Sequence, residues 1–198
     1  MPRKPDPEKT VKILLAGSSH TRLFYPFVKN SLKGAAHVSK LPYDAGRTDE
    51  ILQSIAEWPL EGQDIIHFYA GHRDLILNEE EQPYIKPGPF EKNLRKITGI
   101  LLAGTSAIIV FSDIPPVSER LLTIDADWNK RILRYNRIIE KVAGDAHIPV
   151  HSFRKFILAY EGVEDEYVDD LHFTRRVYRE FGEELAAFLI KLPSPAKP

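Results

Sequence analysis

Five short, mostly apolar runs recur along the chain, at 11–16, 36–41, 64–70, 106–112 and 148–151, and every gap between them is long enough to hold a helix. Antiparallel neighbours can be joined by a two-residue turn, whereas parallel neighbours need a crossover of about a dozen residues or more. Helical spacing fills the gaps. Leu23, Phe24, Phe27, Val28 and Leu32 form a stripe over 21–33 despite Pro26, and Ile51, Leu52 and Ile55 share a face of 49–58 with Thr48 as the expected N-cap. Further helices are expected over 90–102, 127–143, 153–160 and 174–189. This alternation predicts an α/β fold, with a parallel sheet covered on both faces and 106–112 as its central strand.

At 198 residues, 43% apolar and 28% charged, the chain is long enough for one well-buried domain, expected over 11–192. The proline-rich, charged ends 1–10 and 193–198 read as a flexible lead-in and tail. A formal net charge of −1 gives no basis for non-specific nucleic-acid binding, and no run approaches the roughly 20 apolar residues of a membrane span. The chain has no cysteine, which excludes a thiolate nucleophile and fits a reducing compartment. The first residues lack the apolar stretch of a secretory signal, so a cytoplasmic location is expected.

In a sheet of this kind the reactive loops lie beyond the carboxyl ends of the strands. Ser19, Gly46, the block Gly71 to Asp74, and Asp113 all follow strands on that edge, and Asp169 and His172 follow the last strand at a distance. A serine just past the first strand and a late Asp-x-x-His supply a nucleophile, a base and a carboxylate to orient the base. Each motif alone is also what a helix-capping turn looks like, and only the pair, in this order, points to acyl transfer.

Four blocks together resemble the SGNH (GDSL-like) hydrolases: Gly17-Ser18-Ser19-His20-Thr21, Tyr43-Asp44-Ala45-Gly46-Arg47-Thr48, Gly71-His72-Arg73-Asp74-Leu75 and Asp169-Asp170-Leu171-His172. The resemblance spans about 11–189. It implies a three-layer α/β/α sandwich whose five-stranded parallel sheet has the flavodoxin-like order. It implies catalytic roles for Ser19, Asp169 and His172 in a serine esterase that cleaves a small or carbohydrate-linked carboxylic ester. Gly46 would donate a backbone N–H to the oxyanion. His20, His72 and Asp74 join Gly46 and Arg73 as candidate oxyanion or substrate contacts, and the 76–88 segment with Tyr84 is a candidate pocket wall.

Two positions depart from the family pattern. Ser18 stands where the family has Asp, a change expected to alter loop support. Arg73 stands where the family has its oxyanion Asn. The guanidinium has several N–H donors and a permanent charge. It could serve an oxyanion or a substrate anion, or fold onto Asp74 or Asp44 and leave the hole half built. The alternative reading is therefore a weakened or inactive domain of the same fold that binds an anionic or sugar ligand. No Gly-x-Gly-x-x-Gly or Walker loop supports a nucleotide or flavin, and no tight ligand motif singles out a metal from His20, His72, Asp74, Asp113 and His172. No cofactor is expected. His67, inside a strand, reads as structural.

Overall fold

The computed structural model describes residues 10–193, so nearly all of the expected flexible lead-in and tail lie outside the described residues. Its sheet comprises β1 (Val11–Ala16), β2 (Ala36–Lys40), β3 (Ile65–Tyr69), β4 (Ile108–Ser112) and β5 (Val150–His151). All neighbours are parallel and the order is β2-β1-β3-β4-β5, the flavodoxin-like arrangement. The central strand is therefore β3, not the 106–112 segment. Both have apolar runs, and strand order depends on crossover geometry that hydropathy does not encode. Every residue of β3 is buried, as expected for a strand covered on both faces.

Alternation along β1 divides the core into two layers. Ile13 and Leu15 join Phe24, Val28, Phe153, Val177, Phe181 and Leu185 on one face. Leu14 and Ala16 join Ile51, Phe90, Leu94, Tyr135 and Ile139 on the other. Helices α1 (Ser19–Ser31), α6 (Phe153–Leu158) and α7 (Arg175–Leu189) cover the first face. Helices α2 (Thr48–Ser54), α3 (Pro87–Gly104) and α5 (Trp128–Asp145) cover the second, and α4 (Glu119–Ile124) lies before α5. Gly182 brings α1 and α7 close together: a Cβ there would stand 2.9 Å from Phe27 Cβ and 3.1 Å from the Phe24 carbonyl. Among the described residues no helix is long and apolar enough to cross a membrane.

Three local differences from the sequence reading bear on the site. Helix α1 starts at Ser19, two residues before the apolar stripe suggests, so Ser19 lies in its first turn. Thr48 is not the N-cap of α2. Arg47 holds that position, and its N–H is taken by Glu50 Oε2 at 2.7 Å. The segment before α5 is not plain loop: Ser118 caps α4 by accepting the Leu121 N–H.

Candidate active site

The β1–α1 turn is tight because neighbouring backbone leaves no room around it. A Cβ on Gly17 would collide with Thr21 Oγ1 and stand 2.9 Å from the Tyr69 carbonyl at the end of β3. The Gly17 carbonyl also accepts the Ala45 N–H at 2.8 Å, which seats the following Gly46 beside this turn. Ser19 is half-buried in the first turn of α1, where a backbone N–H has no partner within the helix.

The opposite partner comes from a short hairpin-like loop. Tyr167 pairs antiparallel with Phe173, and the Val168 N–H reaches the His172 carbonyl at 2.9 Å. Inside the loop, Asp169 Oδ1 accepts the Leu171 N–H at 2.8 Å and the His172 N–H at 2.7 Å. The same carboxylate meets His172 Nδ1 at 2.9 Å through Oδ2. His172 Nε2 lies 2.8 Å from Ser19 Oγ, a hydroxyl 153 positions away in the chain. Burial alone would raise the Asp169 carboxyl; the two N–H groups and the imidazole hold it below its ordinary range instead. The loop is docked from below, where Asp170 accepts from Ser118 N–H through its carbonyl and from Arg120 Nε at 2.7 Å through its carboxylate.

Asp74 acts on a neighbouring loop rather than facing a ligand. It is completely buried, and its Oδ1 accepts both the Thr48 N–H at 2.9 Å and the Thr48 hydroxyl at 2.5 Å. Burial pushes its carboxyl up to about 6 against these bonds. This clasp ties the Gly46–Arg47–Thr48 turn to the Gly71 turn after β3, where Gly71 has a φ of 111° and a Cβ would press on Ile114 and Phe90. Gly46 is close against Glu50, whose Oε2 a Cβ would strike, and its N–H has no partner among the described residues. Tyr84, returning from the 76–88 excursion, lies over the Arg47 guanidinium, 5.2 Å from its ring centroid, and walls this side. Arg73 is exposed. Asp44 is held by Arg22 and Asp74 by Thr48, so neither carboxylate folds Arg73 away.

His20 and His72 are buried, not solvated. Their rings stack 5.5 Å apart, and His20 also approaches the His172 ring at 5.1 Å. The Phe173 N–H donates to the Tyr178 hydroxyl oxygen, leaving that hydroxyl's proton for His20 Nδ1 at 2.7 Å. A neutral His20 then carries its own proton on Nε2. Burial, with His72 and His172 nearby, holds His20 well below its ordinary range, and burial takes His72 to about 4. At neutral pH both are uncharged, so neither places an imidazolium beside the His172 ring. Asp113 does not join this group: its carboxylate accepts from the Ser152 hydroxyl and the Arg154 N–H.

No protein-family model matches the sequence, and no curated relative is found by sequence. Solved structures do match. A lipase/acylhydrolase from Enterococcus faecalis superposes with a TM-score of 0.75 at 20% identity, covering 96% of this chain and 100% of that one. An acetyl xylan esterase gives 0.78 at 15% identity over 90% and 100%. A GDSL-like lipase from Bacteroides thetaiotaomicron gives 0.69 at 15% identity over 91% and 87%. The fold is that of the SGNH (GDSL-like) hydrolases.

Within this SGNH fold, sequence reasoning misses four contributors. Thr48 is a clasp for Asp74, Tyr178 fixes the His20 ring, and Trp128 with Leu121 lines a cavity beside His172. Tyr178 shares the helical spacing of core residues, so periodicity could not set it apart. Trp128 offered one signal, a large aromatic at the polar start of a helix.

Proposed function

We propose that this chain is a serine esterase that hydrolyses a carboxylic ester of a small acid through an acyl-enzyme. The observation that carries the reading is the 2.8 Å approach of Ser19 Oγ to His172 Nε2, with His172 Nδ1 on the Asp169 carboxylate. His172 takes the Ser19 hydroxyl proton as Oγ attacks the ester carbonyl carbon. Asp169 orients the ring and stabilises the imidazolium. The oxyanion is met by the N–H groups of Ser19 and Gly46. His172 gives its proton to the leaving alcohol oxygen, and water, deprotonated by the same ring, then releases the acid and restores the Ser19 hydroxyl. The likeness to the acetyl xylan esterase and to the carbohydrate acetylesterase Est24 of Sinorhizobium meliloti supports an acetyl group as the acyl part.

Arg73 completes the reading. Its exposed guanidinium, without a partner among the described residues, stands at the position that the SGNH resemblance assigns to the oxyanion Asn, and it supplies the donor that two backbone groups alone would lack. The exposed Arg73 also favours a second reading, in which the crevice only binds an anionic or sugar ligand. Turnover of p-nitrophenyl acetate and butyrate separates the two. The native chain is expected to hydrolyse at least one of them, and Arg73→Ala to lower the rate by about 10²–10³, the usual cost of one oxyanion donor. A rate that rises in Arg73→Ala would mean that Arg73 obstructs the hole. No turnover of either ester would favour the binding domain.

A further inference from the structure

The geometry points to a subsite for the alcohol side of the substrate: a cavity of about 250 Å³ lined by Leu121, Trp128, Asp169, Asp170, Leu171 and His172, fitted to an apolar, ring-sized alcohol group. The inference rests on the esterase reading above and names the substrate class for that same site. Its location follows from the chemistry. The leaving oxygen must come within hydrogen-bond reach of His172 Nε2 to receive its proton, so the carbon attached to that oxygen lies on the His172 side of Ser19. The oxyanion donors proposed at Ser19 and Gly46 serve the carbonyl instead. A cavity with His172 and Leu171 in its wall is therefore placed for the alcohol.

Its chemistry follows from its lining. Leu121, Trp128 and Leu171 are only partly buried against the core and supply the apolar walls. The carboxylates present are already committed, Asp169 to His172 and the Leu171 N–H, Asp170 to Arg120 and Ser118. A hydroxyl-rich sugar ring would give up water there and find few free partners, whereas a hydrocarbon ring loses nothing. The platform is also preorganised. Arg131 lies over the indole of Trp128, 5.2 Å from the ring centroid, and is itself held by two bonds to Asp125. Ligand cavities for whole drug-sized molecules run to roughly 300–1,000 Å³, so this volume takes one ring and not an extended chain.

The test uses the Ser19→Ala chain, in which ester bonds stay intact and binding is read alone. Benzyl acetate and ethyl acetate share the acyl group and differ only on the alcohol side. Each is titrated against tryptophan fluorescence. Trp58 is buried in the core against Phe68, so a change on binding reports Trp128. Benzyl acetate is expected to saturate at a concentration about tenfold or more below ethyl acetate, and Leu121→Gln to weaken benzyl acetate about tenfold while moving ethyl acetate less than twofold. Leu171→Ala is the second variant if Leu121→Gln melts early. Equal binding of the two esters, or tighter binding of an acetylated methyl xyloside than of benzyl acetate, overturns the inference. Failure of the esterase reading shows up elsewhere: a native chain that turns over neither ester, while the titrations behave as expected, removes the chemistry and keeps the ligand class.

Discussion

Ser19→Ala and His172→Ala are each expected to lower kcat/KM on p-nitrophenyl acetate by about 10⁴–10⁶, and Asp169→Asn by a smaller factor of about 10³–10⁴. The ranking comes from the geometry. Ser19 Oγ and His172 Nε2 lie 2.8 Å apart, and in the proposed mechanism the proton passes directly between them, so removing either would end covalent catalysis. Asp169 touches only the far side of the His172 ring, so in the proposed mechanism it would act through that ring. In Asp169→Asn the side-chain oxygen can still accept the Leu171 and His172 N–H groups, so the loop keeps its shape while the negative charge that supports the imidazolium is lost. The double variant Ser19→Ala/His172→Ala should be no slower than the worse single one, because the two act as a unit. Additive losses would contradict a shared proton transfer.

The second large effect is on stability. Thermal unfolding is expected to shift steeply downward between pH 6.5 and pH 4. Burial takes His67 to about 3, and His72 and His151 to about 4, while His20 is held well below its ordinary range. Unfolding exposes these rings and restores values near 6.5. The unfolded chain therefore binds more protons throughout this window, and the stability present above pH 6.5 is lost as pH falls. At pH 4, His67, His72 and His151 together represent on the order of 10 kcal/mol, comparable with the whole stability of an ordinary domain. Asp74 works in the opposite direction. Its folded value of about 6 lies above its ordinary one, so its contribution is present at low pH and lost as pH rises through 6, an offset of about 3 kcal/mol. Asp113, also raised by burial, works in the same direction as Asp74. The histidines dominate, so stability is expected to be lost as pH falls from 6.5 toward 4. A melting temperature that stays level from pH 7 to pH 4.5 would show that these rings are hydrated in the folded state.

What the sequence makes legible here follows from what local patterns report. Strands buried on both faces give mostly apolar runs, so β1, β3 and β4 stand out despite Lys12, His67 and Ser112, and the spacing of the gaps favours parallel crossovers. That Ser19 and His172 share a sheet edge is legible from the rule that loops at the carboxyl ends converge. The distance between them is not, because it depends on the hairpin-like loop at 167–173 and its docking on Ser118 and Arg120. Thr48 is misread because a threonine before a helical stripe has two outlets, and the nearby buried Asp74 carboxylate captures its hydroxyl. The short α4 carries no apolar stripe, and none of its residues is fully buried, which leaves periodicity nothing to detect. His20 and His72 sit in polar motifs, yet Tyr178, Tyr69 and Phe153 enclose them, and enclosure is a tertiary property.

Labelling with a fluorophosphonate, followed by mapping of the modified peptide, bears most directly on whether Ser19 is an activated nucleophile. Its phosphorus reacts only with a serine whose proton a neighbouring base can remove. An activated Ser19 implies stoichiometric modification there, abolished in His172→Ala, with Ser18 untouched one residue away. Modification at Ser18 or any other serine, or labelling at Ser19 that persists without His172, would contradict it.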